Sequence, residues 1–134
     1  MHKVYLSLGT NIGNRERNIS DAVALLSSMA GTVERLSSLY ETEPWGFDSP
    51  NRFINACALI DTPLSPTDLL SVTQDIERRM GRTEKSVNGQ YHDRLIDIDI
   101  LLYDDLTVDL PQLHIPHPLM HEREFVMKPL SEIL

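Results

Sequence analysis

The hydrophobic residues of this chain alternate between the spacing typical of strands and the spacing typical of helices. Strand segments are rich in β-branched and aromatic residues or form nearly continuous apolar runs, whereas helix segments place apolar residues three and four apart. The pattern predicts strands at residues 3–9, 32–42, 52–61 and 95–103, and helices at residues 14–31 and 65–81. The resulting element order is β-α-β-β-α-β.

Terminal residues support both predicted helices. Asn14 is a suitable N-cap for the first helix, and Gly31 a suitable stop. In the second helix Ser65 is the predicted N-cap, Pro66 fits the first helical position, and Gly81 ends the helix. The residues expected to face the core are Ile19, Ala22, Val23, Leu26 and Met29 in the first helix, and Leu69, Val72 and Ile76 in the second.

The remaining segments are a loop and a tail. Residues 83–93 are polar and without periodicity, which predicts a loop. The tail has Pro116 and Pro118, then a short helical stretch, and then the apolar residues 125–127. The element order favours the α+β class: a ferredoxin-like split βαβ sheet with helices packed on it, formed by residues 1–134 as a single domain.

Composition narrows the possible functions. A net charge of −8 over 134 residues argues against binding nucleic acid through a basic surface. The single cysteine, Cys57, cannot form an internal disulfide and suits a reducing cytoplasm. The N-terminus lacks the pattern of a signal peptide, and no apolar run is long enough to span a membrane. We therefore expect a cytoplasmic protein with no membrane segment, acting as a monomer.

Two aspartates interrupt the last predicted strand. Because alternate residues of a strand face opposite sides, Asp97 and Asp99 share one face, with Cα atoms about 6.6 Å apart. The residues expected on the other, core-facing side are Ile96, Ile98, Ile100 and Leu102. Two carboxylates this close repel each other unless a cation binds them, and oxygen ligands favour Mg²⁺. On the Asp-x-Asp motif alone, a solvated outer face of the strand is the favoured interpretation.

Basic residues just before this strand favour a ligand-binding site over a solvated face. Arg82 and Arg94 are placed to reach a ligand, with Lys85 between them, and guanidinium groups bind phosphate oxygens in pairs. Arg78 and Arg79 are interpreted as ordinary solvated helix residues. Carboxylates with a metal ion beside arginines are typical of a polyphosphate site, and no Gly-x-x-x-x-Gly-Lys-Ser/Thr motif is present.

Three histidines lie close together near the C-terminus. His117 and His121 are four residues apart, a spacing that could bind zinc on a helix, with His114 nearby. Pro118 would leave His117 at the N-cap of such a helix and spoil the shared face. A zinc site is therefore disfavoured; His117 is interpreted as a donor to phosphate and His121 as a surface residue.

At this point a resemblance to a known family adds to the interpretation. The segments LGTNIGNR, YETEPWG, FINAC, DRLIDIDILLY, IPHP and HEREFVMKPL occur in the order found in 6-hydroxymethyl-7,8-dihydropterin pyrophosphokinases, over residues 3–134. That resemblance implies an enzyme of folate biosynthesis. It implies transfer of pyrophosphate from ATP to the pterin hydroxymethyl group, with release of AMP and with two Mg²⁺ ions bound.

The resemblance also assigns roles to individual residues. It implies that Asp97 and Asp99 hold the metal ions and that Arg82 and Arg94 are catalytic, acting on the transferring phosphates. The residues it implies for ATP are Leu70, Gln74, Lys85, Ile98, Leu113, His114, His117 and Arg123. The residues it implies for the pterin are Thr42, Pro44, Trp45, Phe53, Asn55, Glu77, Tyr91 and Phe125.

Within this assignment some alternatives stay open. Phe53 and Phe125 would sandwich the pterin, but ordinary core packing is the alternative for both rings. Asn55 would read the amide edge of the pterin, or be a buried amide bonded to neighbouring backbone. The departures from the family pattern are His92-Asp93 for Gly-Pro, Tyr91 for tryptophan, Glu84 for an arginine and Pro118 for a tyrosine.

Two other functions are alternatives to the pyrophosphokinase. One is a ferredoxin-like binding module that performs no chemistry, against which Asp97 and Asp99 argue. The other is a metal-dependent phosphohydrolase that uses the same carboxylates. For the pyrophosphokinase, residues 83–93 are expected to be mobile in the free protein and to close over both substrates, which would limit hydrolysis.

Overall fold

A computed structural model describes residues 1–43, 52–81 and 95–134 of the chain. The elements in chain order are β1 (His2–Thr10), α1 (Arg15–Met29), β2 (Thr32–Leu36), β3 (Tyr40–Thr42), β4 (Phe53–Thr62), α2 (Pro66–Arg79), β5 (Asp97–Tyr103), β6 (Val108–Leu110), β7 (Leu113–Ile115), a 3₁₀ helix (Met120–Glu122) and α3 (Glu124–Ile133). The main sheet has the order β2-β4-β1-β5, and β3 also pairs with β4. Every pairing in it is antiparallel, which confirms the ferredoxin-like α+β sheet.

Both predicted helix starts are confirmed. The Asn14 side chain accepts a hydrogen bond of 3.1 Å from the backbone N–H three residues on, and Ser65 accepts one of 3.2 Å in the same way. Pro66 is the first residue of α2. The helices end slightly before the glycines predicted to stop them, because Ala30 and Met80 already act as the C-caps.

Two apolar layers cover the two faces of the sheet. On one face, α1 and α2 pack through residues that include Leu26 and Leu69 against inward side chains of β1, β4 and β5 that include Leu8 and Ile98. On the other face, α3 packs through residues that include Val126 and Leu130 against Cys57, Leu59 and Leu101. The described part of the sheet is therefore covered on both sides, and exposed polar chemistry is confined to its ends and edges.

The single strand predicted at residues 32–42 is two strands, so this prediction was wrong in detail. Leu36 lies opposite Ala58, and Tyr40 lies opposite Asn55. The three residues between β2 and β3 therefore face only two residues of β4. At the break, Ser37 donates its backbone N–H to Cys57 O at 2.9 Å, and its hydroxyl accepts from Cys57 N at 2.9 Å. The hydroxyl thus replaces a backbone partner and accommodates the extra residue.

The alternation predicted for the last strand holds only as far as Ile100. A register shift in the pairing of β1 with β5 puts Leu101 between the partners of Leu6 and Tyr5. As a result, Leu101 and Leu102 both pack on the α3 side of the sheet, while Tyr103 returns to the other core. The prediction that Leu102 shares a face with Ile100 was wrong because of this bulge.

The C-terminal region also differs from the pattern-based expectation. Residues 125–127, predicted to follow a helical stretch, lie inside α3, and a short hairpin of β6 and β7 precedes it. Pro129 lies within α3, where it has no N–H to donate and weakens a helix prediction. The helix buries Val126, Leu130 and Ile133 on one side, and this packing outweighs the cost of the proline.

Gly31→Ala is expected to destabilise the protein by about 2 kcal/mol, or roughly 5–8 °C in Tm. A Cβ at Gly31 would lie 1.9 Å from Asp61 O and 3.0 Å from Thr62 Cα, so the backbone of β4 would have to move. Thermal melting should show the loss, with Ser28→Ala on the exposed side of α1 as the control. A melting temperature equal to that of the control would contradict the predicted clash.

Candidate functional site

The register of three strands aligns polar residues on the α3 side of the sheet. Asp97 pairs with Gly9, which pairs in turn with Asn55; we call these three residues the first row. The next row along the strands on that face runs from Asp99 through Ser7 to Cys57. Asp97 and Asp99 are half-buried, and their neighbours Ile98 and Ile100 point into the opposite core.

Gly9 is a site residue to which the sequence reasoning assigned no role. A Cβ at this position would lie 3.2 Å from Asn55 Oδ1 and 3.6 Å from the ring of Phe53. Its missing side chain therefore keeps open the space between Asp97 and Asn55. A glycine inside a strand often marks such a close approach, and this signal was available in the sequence.

The amide of Asn55 has a fixed orientation. Its side chain is 2 % exposed, and Nδ2 donates a hydrogen bond of 2.7 Å to Thr42 Oγ1 on β3. Oδ1 therefore lies on the side of Gly9, above the first row. This geometry gives Asn55 an acceptor directed at the open space, together with a partner that holds it there.

Two aromatic rings lie on the α3 side of the sheet, on different elements. Phe53 begins β4 opposite Thr42, and Phe125 lies in the first turn of α3; both rings are half-buried. The guanidinium carbon of Arg123 is 5.6 Å from the centroid of the Phe125 ring, and Arg123 is 8 % exposed. Residues assigned to the nucleotide and to the pterin therefore meet at the N-terminus of α3.

The two aspartates fit a hard divalent cation. Both present carboxylate oxygens from one face of a single strand, which is the donor type that Mg²⁺ prefers. Within residues 1–43, 52–81 and 95–134, no group of three histidine, cysteine or acidic side chains is arranged to hold a metal ion. Two protein carboxylates completed by phosphate and water oxygens are the usual arrangement for Mg²⁺ at a nucleotide.

Helix α2 borders the outer edge of β5. Glu77 is 3 % exposed, and its Oε2 accepts a hydrogen bond of 2.8 Å from Ile98 N. Leu70 and Gln74, on the same helix, are half-buried. The side chain of Ile98 is buried in the core and its N–H bonds to Glu77, so a nucleotide contact there would use other backbone atoms.

His117 is held at both its backbone and its ring. Its N–H donates to Leu101 O at 3.0 Å, and its Nδ1 accepts from Leu119 N at 3.2 Å. An imidazole nitrogen that accepts carries no proton, so the neutral ring has its proton on Nε2. The donor of the neutral ring is therefore Nε2–H.

We expect NMR to find neutral His117 as the Nε2–H tautomer alone, because Leu119 N–H occupies Nδ1. Long-range ¹H–¹⁵N correlation spectra measure the two ring nitrogens directly. His121, which is exposed in the 3₁₀ helix, serves as the internal control and should show averaged tautomers. A proton on Nδ1 of His117 would contradict the assignment.

His114 and Leu113, both implied for ATP by the resemblance, lie on β7 of the hairpin. His114 is exposed on β7, and its Nδ1 is 2.8 Å from Asp109 Oδ1 across the hairpin. Leu113 is 6 % exposed and belongs to the α1–α2 core.

Cys57 is fully buried, and burial raises the pKa of its thiol to about 12. Cys57 is therefore a packing residue and no nucleophile.

Several predicted site residues lie outside the described residues. They are Pro44, Trp45, Arg82, Lys85, Tyr91 and Arg94, together with the loop predicted at residues 83–93. Their assignment stays a prediction from the sequence. The geometry above therefore concerns the two aspartates of β5, the first row, the two phenylalanines and the residues of α2, β7 and α3. Among the described residues, no helix is long and apolar enough to cross a membrane.

Comparison with known proteins extends this picture to the whole chain. Residues 5–134 match the model of the family 7,8-dihydro-6-hydroxymethylpterin-pyrophosphokinase (HPPK). The 2-amino-4-hydroxy-6-hydroxymethyldihydropteridine pyrophosphokinase of Porphyromonas gingivalis is 51% identical over 131 residues, covering 97% of this chain and 89% of that protein. The Bacillus subtilis protein of the same name is 45% identical over 130 residues, covering 96% and 76%.

Longer proteins contain the same fold. The chain is similar, at a TM-score of 0.74 and 16% identity, to the crystal structure of Plasmodium falciparum HPPK-DHPS, covering 94% of this chain and 39% of that one. A second HPPK-DHPS structure, described as in complex with substrates, gives a TM-score of 0.79 at 14% identity, covering 98% and 40%. This chain thus spans about two fifths of those structures.

The identities to the bacterial relatives extend over nearly all of this chain and most of theirs. The motifs that carried the resemblance and the family match point to one kind of enzyme. The chain belongs to the 7,8-dihydro-6-hydroxymethylpterin-pyrophosphokinase family and is a diphosphotransferase of folate biosynthesis.

Proposed function

We propose that this protein transfers pyrophosphate from ATP to the hydroxymethyl group of 6-hydroxymethyl-7,8-dihydropterin. The products are the pterin diphosphate and AMP, and the reaction requires Mg²⁺, with two ions bound beside ATP. Family membership supports the overall reaction. The arrangement of described residues supports the division of the site into a phosphate side and a pterin side.

The first row is the observation on which the proposal rests. Asp97 and Asn55 lie on the two strands that pair with the strand of Gly9, one on each side of it. The Cα atoms of Asp97 and Asn55 are therefore about 10 Å apart, which is two interstrand spacings. One end of the row presents a carboxylate suited to a metal-bound phosphate. The other end presents an amide suited to a heterocycle. A hydroxymethylpterin spanning the row would place its hydroxyl toward the aspartates.

On the phosphate side, this chain supplies oxygen ligands and hydrogen-bond donors. Asp97 and Asp99 would hold the Mg²⁺ ions. When bound, the ions neutralise phosphate charge and lower the cost of ionising the substrate hydroxyl. His117 would donate from Nε2, because Leu119 occupies the other nitrogen. Arg123 would add a guanidinium group at the start of α3.

The residues outside the described ranges complete this side by resemblance. Arg82 and Arg94 would stabilise the charge that develops on the transferring phosphates, with Lys85 near them.

Among the described residues, those that would line the nucleotide by resemblance are Leu70, Gln74, Ile98, Leu113 and His114. Their roles as nucleotide contacts are part of the proposal.

On the pterin side, shape and hydrogen bonding act together. Asn55 Oδ1 is an acceptor directed over Gly9, and Thr42 fixes its orientation. The rings of Phe53 and Phe125 would stack on the two faces of the flat heterocycle. Pro44, Trp45 and Tyr91 would complete the pocket by resemblance.

An assay of AMP formation tests the proposal. Purified protein with ATP and Mg²⁺ should form AMP only when the dihydropterin is added, in a one-to-one ratio with the pterin diphosphate. Phosphate or ADP released without pterin would indicate a phosphohydrolase. Binding of pterin with no turnover of ATP would indicate a binding module. Either result would overturn the proposed transfer.

The chain is further proposed to act as a monomer, as a single domain of residues 1–134, in the cytoplasm. Its relatives include a folate synthesis bifunctional protein of Arabidopsis thaliana, 41% identical, of which this chain covers 24%. A matching module therefore also occurs within much longer proteins. Light scattering at assay concentrations, with and without substrates, would test the monomer.

A further inference from the structure

Glu77 is unusual among the acidic residues of the described chain. It is the one carboxylate there that is buried, at 3 % exposure, although it lies on α2 next to the exposed Arg78. Burying a carboxylate is costly unless hydrogen bonds compensate it. Its surroundings should therefore show what the charge is used for.

One compensating contact is made to the backbone of the strand that bears the aspartates. Glu77 Oε2 accepts from Ile98 N at 2.8 Å, and Ile98 lies directly between Asp97 and Asp99. In the sheet order, β5 is at the end and pairs only with β1 within the described residues. Its outer edge therefore has backbone groups without a neighbouring strand, and Glu77 bonds to one of them.

Stability alone explains this residue poorly. A neutral acceptor such as glutamine could bond to the same N–H without bringing a third negative charge close to two aspartates. A carboxylate acceptor, however, makes a shorter and stronger hydrogen bond and so restricts the peptide more tightly. The peptide in question joins Asp97 to Ile98, so restricting it restricts the direction of both neighbouring carboxylates.

We propose that Glu77 is a positioning residue for the metal-binding aspartates, acting through the Ile98 N–H. By holding the outer edge of β5, it keeps Asp97 and Asp99 at the spacing and direction that a divalent cation needs. This inference rests on the proposed function, in which those aspartates bind the cation. It differs from the pterin contact that the resemblance implies for Glu77.

The informative variant is Glu77→Met, which keeps the volume and removes the acceptor. The Ile98 amide should then exchange with solvent at least about tenfold faster. Binding of Mn²⁺ in the presence of a non-hydrolysable ATP analogue should weaken by about 10–100-fold, the usual effect of losing a residue that orients a metal ligand. Glu77→Gln keeps an acceptor but a weaker, neutral one, so both measurements should fall between those of the wild type and of Glu77→Met, while the KM for the pterin stays unchanged in all variants.

Ile76→Val is the matched control, since it weakens the packing of the same helix one residue away and leaves the hydrogen bond from Ile98 N to Glu77 in place. Equal losses of Mn²⁺ affinity in Glu77→Met and Ile76→Val would overturn the proposal. So would a Mn²⁺ affinity in Glu77→Gln no better than in Glu77→Met, or a rise in pterin KM with unchanged Mn²⁺ affinity. If Glu77→Met does not fold, Glu77→Ala takes its place with the same expectations.

The exchange and Mn²⁺ measurements need no turnover. Their results would therefore remain valid even if the wild-type protein formed no AMP. Absence of AMP formation would overturn the proposed function alone. Conversely, normal AMP formation with unchanged Ile98 exchange in the variants would overturn the role of Glu77 alone.

Discussion

Asp97→Asn and Asp99→Asn are each expected to lower kcat by on the order of a thousandfold, about 4 kcal/mol in activation free energy. Each substitution keeps the volume of the side chain but replaces an anionic oxygen by a neutral amide. Mg²⁺ binds charged oxygen ligands far better than amide groups, so the phosphates would lose the ion that neutralises them. Steady-state kinetics across a wide range of Mg²⁺ concentrations measures the effect.

The fold should survive these substitutions, because both carboxylates are half-buried on the face away from the α1–α2 core. Each substitution also keeps the volume of the side chain, so the melting temperature should stay close to that of the wild type. Asp105→Asn, exposed in the turn after β5, is the control and should keep full activity. Near-normal activity of the Asp97 or Asp99 variant at ordinary Mg²⁺ would refute the metal assignment.

The helices were predictable because their signals are local. Asn14 and Ser65 bond to backbone groups three residues away, and the apolar residues that face the core recur within one helix. The alternation that separates Asp97 and Asp99 from Ile98 is equally local, since it follows from strand geometry alone. These features needed no knowledge of what the elements pack against.

The errors arose where a distant partner decides the local structure. The break at Ser37 depends on its hydroxyl bonding to Cys57, and the bulge at Leu101 depends on the pairing of β5 with β1. A one-residue shift of this kind moves the following side chains to the other face, as it did for Leu102. No pattern within a single strand indicates where such a shift falls.

The candidate site likewise combines features that the sequence indicates with features that only the assembled sheet shows. The sequence indicated the aspartate pair, and the resemblance supplied Asn55, but only the register places both in one row across Gly9. The contact of Glu77 with Ile98 was likewise outside the reach of the sequence, because it depends on β5 being the edge strand. Register and edge position are properties of the assembled sheet.

The pterin side of the site depends on one oriented amide. Asn55 is almost fully buried, and its Nδ2 is committed to Thr42, so Oδ1 cannot rotate away from the open space above Gly9 without losing that bond. A pre-oriented acceptor gains more from a matching N–H than a mobile one, because no ordering cost is added on binding. Its loss should therefore be felt in substrate affinity more than in the chemical step.

Asn55→Leu, which keeps the approximate volume and removes both polar atoms, is expected to lower kcat/KM for the pterin by on the order of a hundredfold, about 3 kcal/mol. Most of the loss should appear in KM, since the amide would contact the substrate equally before and during transfer. Thr42→Val, which removes only the group that orients the amide, should cost about tenfold. Ile54→Val, on the opposite face of β4, should lower stability slightly and leave the pterin KM unchanged. Affinity for a non-hydrolysable ATP analogue, measured by calorimetry, should be the same in all three variants. An equal loss of nucleotide and pterin affinity in Asn55→Leu would show that the row across Gly9 does not separate the two substrates.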